Sequence, residues 1–376
     1  MKTKSNRLSR NLILLISVIF LLLPYTLVAK DKIKIGMAGP LSGDLSPYGI
    51  PVRNTIQIAI DQINQSGGLL GKQVELVAVD DMCKPEVAVN VASKLVGEGV
   101  IAVIGHICSG ATVAAMAVYR DAKIPVLSPA STNPSLTLSK NNPLFFRTIP
   151  HDAAQAELQA EFIQKHLKAK SVAVVHDKGD YGKGLAELVK ENLEKKGITI
   201  TLFEGITTGA IDYSALVRKI SRSKPDVVAF GGYHPEGSKI VTQSRKRRMK
   251  SRFISGDGLK DPSFIKIGGK YVEGYYVSSP SDISTIPITI EVNKELKSRK
   301  QQSGNFGLQA HAAISAVFAA IKKSNSLKPS VFSKTLRSNA VSTTLGNIHF
   351  DQNGDIIGSG FSIYQVQKGK FVAIDW

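Results

Sequence analysis

IAVIGHICSGATVAAMAVYRDAKIPVLS, residues 101–128, holds a complete strand–helix–strand unit. Residues 101–105 are apolar throughout, which suits a strand buried on both faces. Residues 109–121 follow helical spacing, and 125–128 form a second short strand. Two such strands with a helix between them specify a crossover between parallel neighbours, and hence an α/β fold.

The same alternation runs outward in both directions. Upstream, strand 32–37 precedes a helix at 52–63 that Ser66, Gly67 and Gly68 stop. Strand 74–79 and helix 85–96, with Pro85 in its first turn, lead into the opening unit. A second series starts after Phe146, Arg147, Thr148, Ile149 and Pro150. It reads as helix 152–167, strand 171–176, helix 182–196, strand 199–203, helix 214–223, strand 226–231, helix 236–247, and strands 253–255 and 272–278. Beyond Pro280 come helices at 290–300, 308–323 and 330–338, a strand at 348–350, the turn pair Asn353-Gly354, and strands 361–366 and 371–374. A chain of 376 residues exceeds the usual span of one core. The expectation is therefore α/β with two similar lobes, each a mostly parallel twisted sheet flanked by helices. The tail holds too few strands for a third domain, so it returns to both lobes, and several crossings make a hinge.

Hydrophobic residues are 43% of the chain and charged ones 21%, which excludes disordered and collagen-like classes. Lys2, Lys4, Arg7 and Arg10 precede an apolar run at 12–23 that is broken only by Ser17 and ends at Pro24. That run is short for a spanning helix and reads as a cleavable secretory signal over 1–29, with cleavage after Ala29. An uncleaved anchor is the alternative, since Leu27 is larger than cleavage sites prefer. No cysteine precedes Cys83, which argues against a lipid-modified N-terminus. Removing those four basic residues and no acid from a chain of net charge +18 leaves +14. Export excludes nucleic acid as the partner for this charge and points to anionic lipid or an acidic docking surface. The densest basic group, Arg245, Lys246, Arg247, Arg248, Lys250 and Arg252, reads as a solvated helix end.

Cys83 and Cys108 are the only cysteines, an even number suited to pairing in an oxidising compartment. Neither has a CxxC partner, and His106 alone completes no ligand set, so no metal is expected. Gly71-Lys72 lacks the first glycine and the Ser or Thr of a phosphate loop, which disfavours nucleotide and leaves no cofactor expected. A hydrolase would need an activated nucleophile. The nearest set is His106 with Ser109, and no GxSxG elbow surrounds that serine.

Tyr48-Gly49, Gly105-His106-Ile107-Cys108-Ser109, Val175-His176-Asp177-Lys178, Tyr181-Gly182 and Gly231-Gly232-Tyr233-His234-Pro235-Glu236, in this order and spacing, resemble the leucine-, isoleucine- and valine-binding periplasmic proteins. These belong to the type I periplasmic binding protein fold, the Venus-flytrap architecture, and the likeness runs from Ile33 to about Val366. It implies a disulfide between Cys83 and Cys108, in agreement with the cysteine arithmetic. It also implies lobe 1 at 31–150 plus 281–358, lobe 2 at 151–280 plus 359–376, and a three-segment hinge near Pro150, Pro280 and Ser359.

By the same resemblance the chain is a monomeric, non-enzymatic periplasmic receptor that captures an aliphatic amino acid by hinge closure and delivers it to the permease of an ABC transporter. A receptor for another small amino acid or amide, acting in sensing, is the alternative. A zwitterion needs donors for its carboxylate, an anion for its ammonium and a shaped pocket. Ser109, which begins a helix after a strand, would donate to the carboxylate with Ala130 and Thr132. Asp257 would hold the ammonium, and here the sequence departs from the family's usual glutamate by one methylene. Tyr181 and Tyr233 would close over the ligand, while Tyr48, Ile107 and Phe306 shape the side-chain pocket.

Overall fold

Strands that are apolar on both faces need helices on both sides, and the placement of alternate residues tests this directly. The structure, a computed structural model, describes residues 32–376. The expected signal at 1–29 lies outside the described residues. The first series comprises β1 (Ile33–Gly39), α1 (Ser46–Gln65), β2 (Val74–Asp80), α2 (Pro85–Gly97), β3 (Ala102–Ile104), α3 (Ser109–Asp121), β4 (Val126–Ser128), α4 (Ser135–Leu138) and β5 (Phe145–Arg147). The second comprises α5 (Asp152–Glu161), β6 (Ser171–His176), α6 (Asp180–Lys195), β7 (Thr199–Gly205), α7 (Ser214–Ser223), β8 (Val227–Gly231), α8 (His234–Lys246), β9 (Arg252–Ser255), α9 (Pro262–Gly268) and β10 (Tyr276–Pro280). The tail carries α10 (Pro287–Ser298), α11 (Gly307–Ser324), α12 (Pro329–Ser338), β11 (Val341–Thr343), β12 (Gly346–Phe350), β13 (Ile356–Ile357), β14 (Phe361–Gln367) and β15 (Lys370–Ala373).

The strands form one sheet per lobe. The first has the order β2-β1-β3-β4-β5 and is parallel throughout. In the second, β7-β6-β8-β9-β10 repeats that parallel pattern, and β14 and β15 add antiparallel strands at its far edge. A small antiparallel sheet, β11-β12-β13, completes the tail. The chain thus passes from elements of one sheet to elements of the other through 148–151, 281–286 and 358–360.

Alternate side chains of β3 bury on opposite faces. Ala102 and Ile104 pack with Val52 and Ile56 of α1 and Ile314 and Val317 of α11, whereas Val103 packs with Leu95 of α2 and Ala115 of α3. In the second lobe Val172 and Val174 join Leu185 and Val189 of α6, and Ala173 and Val175 join Ile220 of α7 and Ile240 of α8. Alanines 310, 312, 313, 316 and 320 leave α11 buried almost all round, and their small size lets neighbouring backbones approach.

Several boundaries differ from the sequence reading, α1 starting at Ser46 among them, and three differ for a clear local reason. Residues 272–275 are not strand: Gly269 at φ +54° and Gly274 at φ +77° bend the chain, so β10 begins at Tyr276. The helix from Asp152 widens to a π-helical turn at Phe162–His166. Helix α8 starts at His234 with Pro235 in its first turn, so Tyr233 is its N-cap and His234 lies on the helix.

Candidate functional site

Where strand order reverses, the loops after neighbouring strands diverge and leave a crevice at their carboxyl ends. Both sheets reverse, between β1 and β3 in the first and between β6 and β8 in the second. The loops after β3 and β4 carry Ile107, Ser109, Ala130 and Thr132. Those after β6, β8 and β9 carry Tyr181, Tyr233 and Asp257, while Tyr48 lies on α1 and Phe306 just before α11. Eight of these nine, together with Gly258, line one small cavity; Thr132 does not. About 10 Å³ of it admits the centre of a water-sized sphere, the least that one water needs. A groove of about 440 Å³ adjoins it, sharing Tyr181 and Tyr233 and bordered by the Cys83–Cys108 disulfide, Asp44, Asp177, Asp180 and Glu236.

On the first-lobe side, Ser109 opens α3, and its hydroxyl accepts a hydrogen bond from the Asn133 amide at 3.4 Å. The loop beneath it is held by groups that the sequence did not single out. Arg147, fully buried, donates to the carbonyls of Ser131 (3.2 Å) and Asn133 (2.9 Å) and to the side chains of Thr137 and Asp355. Ser128 donates to the His106 carbonyl at 2.6 Å and accepts from the Ser131 amide at 2.9 Å. These bonds fix the backbone on both sides of Thr132. The disulfide joins the segment before α2 to the N-cap of α3, with its Cα atoms 5.4 Å apart.

On the second-lobe side, Asp257 begins a single 3-10 turn and is buried. Tyr181 donates to its Oδ1 at 2.7 Å and Gln155 at 3.1 Å. Burial pushes the Asp257 carboxyl above its usual range, and those two donors oppose the shift. Burial likewise drives the phenols of Tyr48, Tyr181 and Tyr233 well above theirs, so all three are neutral donors.

Asp152 was not among the sequence candidates. It is fully buried in the first turn of α5, its amide bonded to the Thr132 carbonyl at 2.9 Å. Among the described residues no well-formed hydrogen bond reaches either carboxyl oxygen or Gln155 Oε1, and the Thr132 hydroxyl beside Asp152 only partly offsets its burial. Burial first, and the nearby Asp257 charge second, push Asp152 up to about 8. A carboxyl buried with so little compensation prefers its neutral form. An acid in the first turn of a helix reads in sequence as a favourable dipole contact, so nothing local marked it.

Several bonds cross into the second series from the first series and the tail. Asn133 donates to the Asp180 carbonyl at 2.7 Å, and Asn305 to the Asp257 carbonyl at 3.0 Å. Tyr48 lies 2.6 Å from both the Gly258 carbonyl and His234 Nδ1. His106, the base nearest Ser109 in sequence, has Nδ1 on Asp81 at 2.6 Å and Nε2 on Tyr119 at 3.0 Å. Both ring nitrogens are thus committed away from the serine hydroxyl, so this histidine does not activate it.

A family model described as periplasmic binding protein matches residues 32–370. The chain is 36% identical over 342 residues to the leucine-, isoleucine-, valine-, threonine- and alanine-binding protein of Pseudomonas aeruginosa, covering 91% of each. It is 35% identical over 335 residues to the Leu/Ile/Val-binding protein of Escherichia coli K12, covering 89% of this chain and 90% of that one. Among solved structures, the leucine-binding protein LivK of Thermotoga maritima superposes with a TM-score of 0.85 at 26% identity, covering 91% of this chain and 98% of the other. LivJ of Streptococcus pneumoniae, determined in complex with isoleucine, gives 0.81 at 26% identity, with 92% and 100% covered. Two α/β lobes of matching strand order, a cavity at their carboxyl ends and these relatives over nearly the whole chain lead to one conclusion: the protein belongs to the periplasmic binding protein family.

Proposed function

We propose that this chain captures an aliphatic amino acid in the periplasm and delivers it to the permease of an ABC transporter, as a monomeric receptor that catalyses no reaction. The observation that carries the reading is one cavity into which both lobes send complementary groups. The first lobe offers a serine hydroxyl at a helix N-terminus, and the second offers a buried carboxylate with two tyrosines. In this reading the ligand carboxylate meets Ser109, with Ala130 and Thr132 supplying backbone or hydroxyl groups. The ammonium meets Asp257 through Oδ2, since the Tyr181 and Gln155 bonds both fall on Oδ1. Asp152, buried near it, is a second acid for the same ammonium.

Tyr48, Ile107 and Phe306 form the apolar wall. Burying a Leu or Val side chain there contributes about 1.5 to 3 kcal/mol, which favours aliphatic ligands over glycine. The cavity is lined from both lobes, so in this reading an amino acid enters and leaves as the lobes open and close. Lobe 1 is then 31–150 with 281–358, lobe 2 is 151–280 with 359–376, and the hinge lies in the three connecting segments. Ligand selects the closed form only through contacts that the open form lacks. Tyr181, Tyr233 and Asp257 supply those contacts.

A thermal-shift panel of the twenty amino acids on ligand-stripped mature protein tests the assignment. Ligand at about a hundred times Kd adds about 2.7 kcal/mol of stability. Aliphatic side chains should lead the ranking. A panel in which no aliphatic amino acid stabilises the protein would defeat the assignment.

A further inference from the structure

As part of the pocket wall, Tyr48 needs only its ring. Its hydroxyl, however, is fully buried and has two partners on the opposite lobe, each at 2.6 Å: the Gly258 carbonyl oxygen and His234 Nδ1. A carbonyl can only accept, so the single phenolic proton goes to Gly258. The Tyr48 oxygen is left as an acceptor, and His234 must present Nδ1–H to it. Burial lowers the His234 pKa against the opposing pull of Asp261, Glu236 and Asp44, which agrees with a neutral ring. The two rings meet edge to face with centroids 5.3 Å apart.

The two partners occupy informative places. Gly258 follows Asp257 in the 3-10 turn that holds the acid, and His234 follows Tyr233 at the start of α8. One hydroxyl therefore grips two of the three second-lobe segments that line the cavity. We propose that the Tyr48 hydroxyl, with His234 and Gly258, is a latch across the cleft that holds the lobes shut and sets how slowly ligand leaves. In the open form water satisfies all three groups, whereas in the closed form they satisfy one another away from water. Removing the hydroxyl strands a buried carbonyl and a buried N–H only in the closed form, so the effect falls on closure and not on folding.

The latch rests on the hinge-closure reading, and its test is chosen to separate the two. The lobe-to-lobe distance is measured with paired spin labels, one on each lobe, in wild type and Tyr48→Phe, with and without leucine. Leucine dissociation is followed by stopped flow. Tyr48→Phe keeps the aromatic wall; it should lengthen the mean distance in both states and raise the leucine dissociation rate about tenfold to a hundredfold. His234→Phe should reproduce the effect, and His234→Gln, which restores an N–H donor, should recover part of it. Unshifted distances in Tyr48→Phe, or His234→Gln no better than His234→Phe, would overturn the latch. The distance measurement needs no ligand, so it decides the latch even if wild type fails to bind leucine, the result that would defeat the transport assignment instead.

Discussion

Replacing Asp152 by asparagine should remove a proton that ligand binding otherwise releases. The carboxyl is raised from 3.8 to about 8 by burial and by Asp257. At pH 7 a group with that pKa is about 90% protonated in the ligand-free closed form. A ligand ammonium placed against Asp152 and Asp257 favours the ionised form and lowers the pKa. Binding at pH 7 therefore expels up to about 0.9 proton per amino acid, and affinity rises with pH through the window between the lowered pKa and about 8. A raised acid also carries a stability consequence of definite sign. Its contribution is whole below about 3.8, falls as pH rises towards 8 and is constant above that. The ceiling at pH 7 is about 4 kcal/mol. Leucine titrations by calorimetry in phosphate and in Tris, whose ionisation heats differ, read the proton count as a slope. His151, whose pKa burial lowers, adjoins Asp152, as do Arg147 and Thr132, and Asp152→Asn separates their contributions. Measurable binding with buffer-independent heats in the wild type, or a slope that persists in Asp152→Asn, would refute the reasoning.

Two further outcomes are expected. Asp257→Ala removes the acid that Tyr181 and Gln155 hold in place, and should weaken leucine binding by about 3 kcal/mol or more in calorimetry; unchanged affinity would exclude Asp257 from the site. Replacing Cys83 and Cys108 by serine should lower unfolding stability by about 3 kcal/mol in urea, and retention of wild-type stability would count against an entropic role for the bond.

The fold was legible because its strands are short, apolar and separated by long helical periods. In β3, residues 102–104 leave no polar side chain for solvent, and the structure covers both faces with helices. The breaks in legibility are equally physical. Val272 resembles a strand residue in an apolar window, but two left-handed glycines around it remove 272–275 from the sheet, and periodicity carries no record of backbone sign.

The site divides along the same line. Ser109, Tyr181, Tyr233 and Asp257 stand near strand ends, where the resemblance to the family singled them out, and all four line the cavity. Asp152, Arg147 and Asn305 act through distant partners: Arg147 reaches Asp355, 208 residues on, and Asn305 reaches back 48 residues to Asp257. Each looks ordinary in its own neighbourhood, an acid opening a helix, a strand-end arginine, a loop asparagine. What sets them apart is burial combined with partners from other segments. For Asp152 it is burial beside Thr132 and the Asp257 charge, since a carboxyl costs several kcal/mol to strip of water and survives there only where something else engages it or its proton stays on. In the proposed function a ligand ammonium near Asp257 would meet that requirement, and the proton count in Asp152→Asn is what tests it.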